Sequence, residues 1–424
     1  MTKSASSLYS TSPFPPPRVA RHCCFLAEDG SAIDDGIVLY FDAPASFTGE
    51  DVLELQGHGG PVVMQMLLAR CLQLGARLAE PGEFTLRAFL NGKLDLLEAE
   101  AVADLISAGS SSAARSAMRS LGGEFSAAIH GLADGLVELR ARLEAALDFP
   151  EEDIETLAMT ETRTRLGRLQ TELQTLIQRA GQGCLLQHGL EVVLAGQPNA
   201  GKSSLLNCLA EADLAIVTPQ AGTTRDIVRT HIQIKGVPLH IVDTAGLRDS
   251  KDEIEQIGVA RAWQALEKAD LAVLIVDARE GETPADSSIR GRLPKHLPLI
   301  IVHNKCDLIG LPPAMLGPEK GEDNAVALRL SAKHNDGVEY LKVELLRLAG
   351  WQPTENVLIA RERHMQALHA ARLHLEAAAI ILNTGMELLA EELRLAQNEL
   401  AHITGEVSSE DLLGEIFSRF CIGK

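Results

Sequence analysis

The sequence has no long apolar run, no paired-cysteine pattern and no excess of positive charge. No stretch reaches about 18 consecutive apolar residues, the length that a transmembrane helix needs. The 7 cysteines are odd in number and show neither a CxxC motif nor zinc-type Cys/His spacing. This pattern argues against a disulfide framework and a structural metal site. Lys and Arg number 39 against 58 Asp and Glu, a net charge of −19. We therefore do not expect the whole chain to bind nucleic acid strongly by itself, since phosphate contacts need local positive charge.

The N-terminus does not show the pattern of a secretory signal, because at most two basic residues lie near Met1 and are followed by Ser, Tyr and Pro rather than by an apolar segment. We expect a cytoplasmic protein. Its 424 residues are 46 % apolar, which excludes global disorder and allows two or three domains with real cores.

Residues 1–93 divide into a tail and a small domain. Residues 1–18 are rich in Ser and Pro, and we predict a disordered tail there. In residues 19–93, strand-like runs at 36–41 and 51–55 precede a helical run at 62–74. This mixture predicts an N-terminal α+β domain.

Helical periodicity then dominates two separate stretches, residues 94–187 and 352–424. Apolar residues recur at spacings of three and four, which indicates the buried seams of long bundle helices. The seams consist of Phe125, Ile129, Leu132, Leu136, Leu139, Leu143 and Leu147, then Leu166, Leu169, Leu173 and Leu176, and finally Leu389, Leu393, Ala396 and Leu400. We predict two parts of one helical domain.

Between these parts, residues 188–351 alternate short β-rich runs with helical patterns, which predicts a mostly parallel sheet covered on both faces. The runs are 191–196, 230–235, 239–243, 271–277, 299–303 and 325–330, with a hairpin between the second and third. The fold class is therefore multidomain α/β plus α, with an α/β domain inserted in a helical bundle.

The inserted domain opens with Gly196-Gln-Pro-Asn-Ala-Gly-Lys-Ser203, which fits the phosphate-binding pattern GxxxxGK[ST] between a strand and a helix. Backbone N–H groups of such a loop surround phosphate oxygens, and the helix N-terminus adds partial positive charge. We assign Lys202 to the β- and γ-phosphates and Ser203 to Mg²⁺.

Three further motifs follow in the order of a Ras-like P-loop GTPase. Asp243-Thr-Ala-Gly246 ends a strand, where Asp can hold Mg²⁺ through water and Gly246 can donate to the γ-phosphate. Asn304-Lys-Cys-Asp307 selects guanine, because its Asp carboxylate accepts from N1–H and the 2-amino group. Ser331-Ala-Lys333 supports the guanine O6. The predicted GTP-binding residues are Asn199, Ala200, Gly201, Lys202, Ser203, Ser204, Thr218, Thr223, Thr224, Asp243, Thr244, Ala245, Gly246, Asn304, Lys305, Asp307, Ser331, Ala332 and Lys333.

The loop between the first two motifs carries the switch. Thr224, in Ala221–Asp226, is suited to bind Mg²⁺ and to sense the γ-phosphate, so ordering of this loop is the expected nucleotide-dependent change. Leu247 follows the DTAG motif where Ras-like proteins place a glutamine, and a leucine side chain cannot orient water. Another residue must therefore replace that carboxamide.

Outside the GTPase motifs, the chain resembles the MnmE (TrmE) family of tRNA-modification GTPases over about residues 27–424. The segments that carry the resemblance are Ser46–Gly60, Pro81–Phe84 with Arg87–Leu94, Asp148–Glu152 and the terminal Phe420-Cys-Ile-Gly-Lys424. The family fold has an N-terminal α+β domain and a helical domain split by the G domain.

The resemblance also implies a pathway. The family acts with a flavin-dependent partner, MnmG (GidA), to place an aminomethyl or carboxymethylaminomethyl group on C5 of the wobble uridine (U34) of tRNA. The methylene carbon comes from a tetrahydrofolate, and GTP hydrolysis drives conformational change. It implies GTP and GDP as ligands, a homodimer, a heterotetramer with the partner, tRNA contact mainly through that complex, and no membrane.

Family roles carry over to particular positions. Asn199, Thr218, the backbone of Gln220 and Thr223 would bind K⁺, which would stabilise charge on the phosphates. Glu255 would orient the attacking water, so the catalytic set is Glu255, Lys202 and Thr224. From the residues alone, Asn199 could equally cap a turn and Glu255 could be a solvated acid at the start of a helix.

A folate site is implied at Glu54, Lys93 and Lys424, with Cys421 beside it. The resemblance is weakest at the N-terminus, where nothing in residues 1–26 matches the family strand whose arginine contacts folate. We therefore expect an incomplete N-terminal domain with an open sheet edge and weak folate binding.

Two other functions stay open. A ribosome-associated assembly GTPase would need an RNA-binding module such as KH, and no GxxG loop with basic flanks is present. A nucleotide-binding scaffold with a defective N-terminal domain is the other. One basic cluster on a predicted helix could face tRNA or the partner, or it could face solvent. It consists of Arg361, Arg363, His364, His369, Arg372 and His374.

Overall fold

The computed structural model describes residues 8–9, 15–148, 155–212, 229–243, 269–318, 325–352, 357–382, 385–406, 410–418 and 420. Within these ranges, no helix is long and apolar enough to cross a membrane.

The strands and helices fall into three groups along the chain. The first group comprises β1 (Arg21–Leu26), β2 (Ala32–Phe41), β3 (Val52–Gln56), α1 (Pro61–Gln73) and α2 (Glu83–Leu90). Four helices follow, α3 (Leu96–Ser107), α4 (Ser111–Leu121), α5 (Glu124–Asp148) and α6 (Glu155–His188). The inserted domain contains β4 (Leu190–Gly196), α7 (Lys202–Ala212), β5 (Arg229–Ile234), β6 (Val237–Asp243), β7 (Leu271–Asp277), α8 (Pro284–Arg292), β8 (Leu299–Asn304), β9 (Ala314–Pro318), β10 (Ala325–Arg329) and α9 (Val338–Leu348). The chain returns to helices in α10 (Glu362–Ile381), α11 (Met386–Thr404) and α12 (Glu410–Ser418).

The N-terminal domain is an antiparallel sheet in the order β1-β2-β3 with α1 packed on it. Its small core joins Phe25 and Val38 of the sheet to Leu67 of α1. The predicted α+β character of this region is confirmed.

Two residues of the predicted tail belong to this domain. Leu8 and Tyr9 are each only 3 % exposed and share the core of Phe25. The N–H of Leu26 donates to the carbonyl of Leu8 at 2.9 Å, and Tyr9 forms an antiparallel bridge with Phe25. The prediction that all of residues 1–18 form a disordered tail is wrong at this point, because an apolar pair covers part of the β1 edge. Ser and Pro composition does not reveal such a pair.

One helical core is built from both ends of the chain. The predicted seams of α5, α6 and α11 are buried in it together with α10, apart from Leu147, whose side chain lies outside the described residues. A neighbouring core packs α12 against α2 and α3 through Phe417, Phe420, Phe89 and Leu96. The inserted architecture predicted from periodicity is therefore confirmed, since α5 and α6 complete their core only with α10 and α11.

The inserted domain is a seven-stranded sheet in the order β5-β6-β4-β7-β8-β10-β9. The five central strands are parallel, and β5 and β9 pair antiparallel at the two edges. The β5–β6 hairpin is confirmed, with positive φ at Lys235 and Gly236, as in a type I′ turn. Strand β9 is not predicted by the sequence pattern, because its short, half-exposed segment has no alternation.

Buried cores on both faces of this sheet fix the position of its strand ends. One core joins the sheet to α7 and α9 through Leu205 and Leu341, and the other joins it to Leu297 and partly buried Ile289 on the side of α8. Because both faces of the sheet are buried, the sequences of β7 and β8 are nearly continuous apolar runs.

The basic cluster of α10 is mostly paired within the protein, so neither predicted orientation is correct for its first members. Arg361, Arg363 and His364 surround Glu100 of α3, which is 1 % exposed, at 3.2, 2.6 and 2.8 Å. Arg361 also pairs with Asp104 at 2.8 Å. A buried carboxylate needs such partners, and a single-sequence pattern cannot show a contact between residues so far apart. Further along α10, an ion pair also holds Arg372 (to Glu376) and His374 (to Glu392), while His369 is exposed.

Candidate nucleotide-binding site

The carboxyl ends of the parallel strands β4, β6, β7, β8 and β10 meet at one edge of the sheet, where open α/β sheets bind their ligands. The loop that joins β4 to α7 lies at this edge. Its Gly201 has φ of 104°, and a Cβ atom there would overlap the side-chain nitrogen of Asn304. The glycine is therefore required both by its backbone angle and by the close approach of Asn304.

Lys202, the first residue of α7, folds over this loop. Its ammonium group donates to the carbonyls of Gly196 at 2.8 Å and Gln197 at 3.0 Å. Ser203 and Ser204 follow it on the exposed first turn of the helix. The predicted phosphate-binding residues thus share one helix N-terminus, where backbone N–H groups and the helix dipole favour an anion.

Asn304, at the end of β8, connects two of the predicted motifs. Its side chain is 2 % exposed, its amide nitrogen donates to the carbonyl of Ala200 at 2.8 Å, and its amide oxygen accepts from the N–H of Ala332 at 3.0 Å. Both ends of a buried amide are thereby satisfied. The phosphate loop and the Ser331–Lys333 segment are held in fixed relation by this side chain.

Asp307 lies in the short 3₁₀ turn that follows. The Ser331 hydroxyl donates to it at 2.6 Å and lowers the pKa of this carboxyl below its usual range, and the His334 ring lies 3.6 Å away. Ser331 is itself fixed by two backbone hydrogen bonds with Asp336, of 2.9 and 3.0 Å. The arrangement presents an ionised carboxylate that can accept two hydrogen bonds from a guanine edge.

Lys305 is held by contacts within the protein. Its ammonium group pairs with Asp277 at 2.7 Å and also donates to the carbonyl of Asn199. Asn199 is exposed, with φ of 65°, a left-handed conformation that asparagine tolerates. Arg279 and Lys305 hold the pKa of Asp277 well below its usual range, the Arg279 hydrogen bond being the largest cause.

The metal assignments are only partly within the described residues. Ser203 and Asn199 are exposed around the phosphate loop, and β6 ends at Asp243, which pairs with Leu194 beside that loop. Oxygen donors of these kinds fit Mg²⁺ and K⁺. The remaining predicted site residues lie outside the described residues, namely Thr218, Gln220, Thr223, Thr224, Thr244, Ala245, Gly246, Glu255, Cys421 and Lys424.

The two described residues of the predicted folate site both lie in the N-terminal domain. Glu54 is an exposed residue of β3 opposite Leu39 of β2. Lys93 is exposed after α2, and its ammonium group donates to the carbonyl of Pro44 at 3.2 Å. Phe420 packs on Gly82, at the start of α2.

Other residues at the edge were not identified from the sequence. They are Gln197, Asp277, Thr283, Asp286, Cys208 and Asn335, and the last two are joined by a hydrogen bond of 3.1 Å between the thiol and the amide oxygen. Only Thr283-Pro-Ala-Asp286 carries a local signal, because Thr and Asp three residues apart form a helix capping box.

The fold and this edge define a P-loop GTP-binding domain. Comparison with known families then narrows the class. Residues 96–421 match the model of the MnmE helical domain, and residues 1–93 match that of the GTP-binding protein TrmE N-terminus. The chain belongs to the MnmE family.

Curated relatives agree along nearly the whole chain. It is 61 % identical to a tRNA modification GTPase MnmE from Dechloromonas aromatica, over 97 % of this chain and 91 % of that protein. The proteins of the same name from Laribacter hongkongensis and Azoarcus sp. are 57 and 58 % identical, over 97 % of this chain and 91 and 90 % of theirs. Because the N-terminal model matches from residue 1, the prediction that nothing in residues 1–26 matches the family is wrong.

Proposed function

We propose that this chain hydrolyses GTP in a cycle that drives the modification of tRNA at the C5 position of the wobble uridine. Family membership supports the pathway, and the arrangement of the inserted domain supports the selection of guanine. The single observation that carries the nucleotide assignment is the connection from Ala200 through Asn304 to Ala332, with Asp307 held by Ser331 beside it. That geometry supports the proposal of a phosphate-binding loop and a guanine acceptor at one edge of the sheet.

Mg²⁺ and K⁺ are the proposed metal ions. Ser203 and Thr224 would hold Mg²⁺, and Asn199, Thr218, the carbonyl of Gln220 and Thr223 would hold K⁺. Bound there, the cations would neutralise charge that develops on the phosphates. Of these residues, Asn199 has its backbone fixed by Lys305, which supports a preorganised ligand position. Glu255 is proposed to orient the attacking water and Lys202 to bind the β- and γ-phosphates.

A homodimer is the proposed assembly of this chain. Helix α1 buries only Leu67 among its apolar residues, while Val62, Met64, Met66, Leu68 and Leu72 are 66, 43, 46, 48 and 39 % exposed. Of these residues, Met64, Leu68 and Leu72 form an apolar stripe on one face of the helix, and such an exposed stripe is typical of a protein interface. A flavin-dependent MnmG partner would complete a heterotetramer.

Most contact with tRNA is proposed to come through that partner. The net charge of −19 disfavours phosphate binding, and Arg361, Arg363 and His364 are already committed to Glu100. The proposed location is the cytoplasm.

A tetrahydrofolate derivative is the proposed carbon donor, bound by Glu54, Lys93 and Lys424 in the N-terminal domain. Because the N-terminal family model matches from residue 1, we expect this domain to bind the folate. Calorimetry with 5-formyltetrahydrofolate measures the affinity, and the absence of detectable binding would contradict the proposal.

Potassium dependence tests the proposed cycle. Turnover of GTP in K⁺ is compared with turnover in Na⁺ at equal ionic strength. We expect Na⁺ to slow hydrolysis by at least about tenfold, or roughly 1.4 kcal/mol of barrier. Glu255→Ala in K⁺ should lower turnover and leave GTP affinity nearly unchanged. Equal rates in the two salts would remove the K⁺ assignment.

The pathway is tested separately, by reconstituting the chain with a flavin-dependent MnmG protein, GTP, a methylene donor and unmodified tRNA. Formation of the C5-modified uridine with GTP, and its loss with Lys202→Ala, supports the proposal. Binding to ribosomal particles without any tRNA modification would instead favour the assembly GTPase, and neither activity would favour the scaffold.

A further inference from the structure

A buried polar cluster joins the phosphate loop to the N-terminus of α8. The amide nitrogen of Gln197, the second residue of the motif, donates to the hydroxyl of Thr283 at 2.6 Å and to Oδ2 of Asp286 at 2.9 Å. Thr283 and Asp286 lie at the N-terminus of α8, which packs against β4 and β7. Gln197 is thus anchored to an element that contributes no GTPase motif.

The cluster is built to hold that amide. Oδ2 of Asp286 also accepts from the hydroxyl and the N–H of Thr283, at 2.7 and 3.1 Å. Asp286 is only 2 % exposed, and its Oδ1 has no hydrogen-bond partner among the described residues. A carboxyl group buried in this way is costly unless its acceptor positions are used, so each donor to Oδ2 matters. Loss of the Gln197 amide would leave Oδ2 with donors from Thr283 alone.

The connection from β7 to α8 also acts on the phosphate loop through Lys305. Asp277, where the connection from β7 to α8 begins, fixes Lys305, and Lys305 donates to the carbonyl of Asn199. The carbonyl of Gln197 meanwhile accepts from Lys202. Thr283 and Asp286 therefore hold one end of the Gln197–Asn199 segment directly, and Asp277 acts on the other end through Lys305. A loop held at two points keeps its N–H groups preorganised for phosphate, whereas a loop held at one point loses part of that order.

We propose that Gln197, Thr283 and Asp286 are positioning residues that keep the phosphate loop in its nucleotide-binding conformation. The inference rests on the proposed GTP cycle and adds to it a dependence of nucleotide affinity on the β7–α8 connection. None of the three side chains needs to touch the nucleotide.

The test measures the affinity and dissociation rate of fluorescent GDP for the full-length protein. Thr283→Val removes the hydroxyl and keeps the shape, and Gln197→Met removes the amide donor and keeps the length. We expect each to weaken GDP binding by about tenfold, chiefly through faster dissociation. Thr283→Ser, which restores a hydroxyl, should bind within about twofold of the wild type.

The matched control is Glu282→Gln. Glu282 lies next to Thr283 and pairs with Arg290 at 3.0 Å, yet it makes no contact with the phosphate loop among the described residues. GDP affinity should stay within about twofold of the wild type. If Thr283→Val fails to fold, Gln197→Met decides the question, because its side chain is only half-buried.

Two outcomes overturn the inference. One is GDP binding within about twofold of the wild type in both Gln197→Met and Thr283→Val. The other is equal weakening by Thr283→Ser and Thr283→Val, which would show that the hydroxyl is not the operative group. This test measures GDP affinity at fixed salt, whereas the tests of the proposed function measure K⁺-dependent turnover and tRNA modification. A negative result here would not affect those tests, and negative results there would not affect this inference.

Discussion

The proposed selection of guanine depends on the carboxylate of one residue, Asp307. Replacement by Asn turns an acceptor into a donor, so the 2-amino group of guanine loses its partner while the 2-oxo group of xanthine gains one. We expect Asp307→Asn to prefer XTP over GTP, with the GTP affinity reduced by roughly two orders of magnitude. Competition of both nucleotides for fluorescent GDP measures this.

Lys202→Ala is the control for that experiment. It should weaken the binding of both triphosphates equally, because this lysine is assigned to the phosphates and not to the base. A variant Asp307→Asn that still prefers GTP would contradict the assignment of Asp307.

At this scale the sequence indicates the residues of the motifs better than the residues that support them. Asn304, Asp307 and Ser331 belong to motifs at strand ends, and the structure brings them together through hydrogen bonds. Gln197 and Asp286 were missed because their contact joins residues 89 positions apart and neither breaks a local pattern. Such supports become visible only when the strand order is known.

At the scale of the element, two glycines of α6 offer a matched comparison. A Cβ atom at Gly183 would overlap the backbone of Leu358 and lie 2.8 Å from Cα of Ile359, whereas at Gly181 its nearest neighbour would be the methyl group of Met365 at 3.8 Å. Backbone atoms cannot move aside as a side chain can. We expect Gly183→Ala to destabilise the helical domain by about 1–3 kcal/mol. Gly181→Ala should instead stabilise it by roughly 0.5–1 kcal/mol, through better helix propensity.

Thermal unfolding followed by circular dichroism would compare the two variants. Equal effects in both would show that α6 does not pack closely on the linker at residues 357–360.

The ion cluster that joins α3 to α10 has its own pH dependence. Burial raises the pKa of Glu100, but His364 and Arg363 lower it more, and the result lies well below the usual range. A carboxyl whose pKa is lower in the folded state stabilises the fold above its unfolded pKa, about 4.3, and loses that contribution as the pH falls. Burial is the largest cause that raises the pKa of Asp104, and the charge of Glu100 raises it further, so Asp104 acts with the opposite sign.

Glu100→Gln should therefore lower the free energy of unfolding by about 3–5 kcal/mol at pH 7, because buried cations lose their partner. The gap to the wild type should shrink below about pH 4.3. Glu376→Gln, which breaks an exposed pair with Arg372, should cost less than about 1 kcal/mol. Urea unfolding at several pH values measures both, and a gap that is independent of pH would contradict the ionised state of Glu100.

At the scale of the whole molecule, the order of the domains could be predicted from the sequence, but the contacts between distant segments could not. Helical seams on both sides of residues 188–351 and the alternation within them are periodic signals. These contacts include single hydrogen bonds, such as that from the Ser116 hydroxyl to the carbonyl of Val357 at 2.8 Å. They also include the packing of Leu8 and Tyr9 at the sheet edge. Contacts of this kind join residues that are far apart in the chain, so they produce no periodic pattern in the sequence.

The apolar stripe of α1 leads to the prediction for the assembly. Met64, Leu68 and Leu72 are spaced by four residues and share one face of the helix. In a homodimer through this face, Leu68→Glu would bury a charge against apolar side chains, which costs several kcal/mol. We expect the variant to become monomeric in sedimentation while GDP binding stays near that of the wild type, because the inserted domain has its own sheet and cores. Ile380→Glu, at a residue 80 % exposed on α10, is the control and should leave the dimer intact. A dimer that survives Leu68→Glu would place the contact on another surface, and dissociation by both variants would show that added charge alone disrupts it.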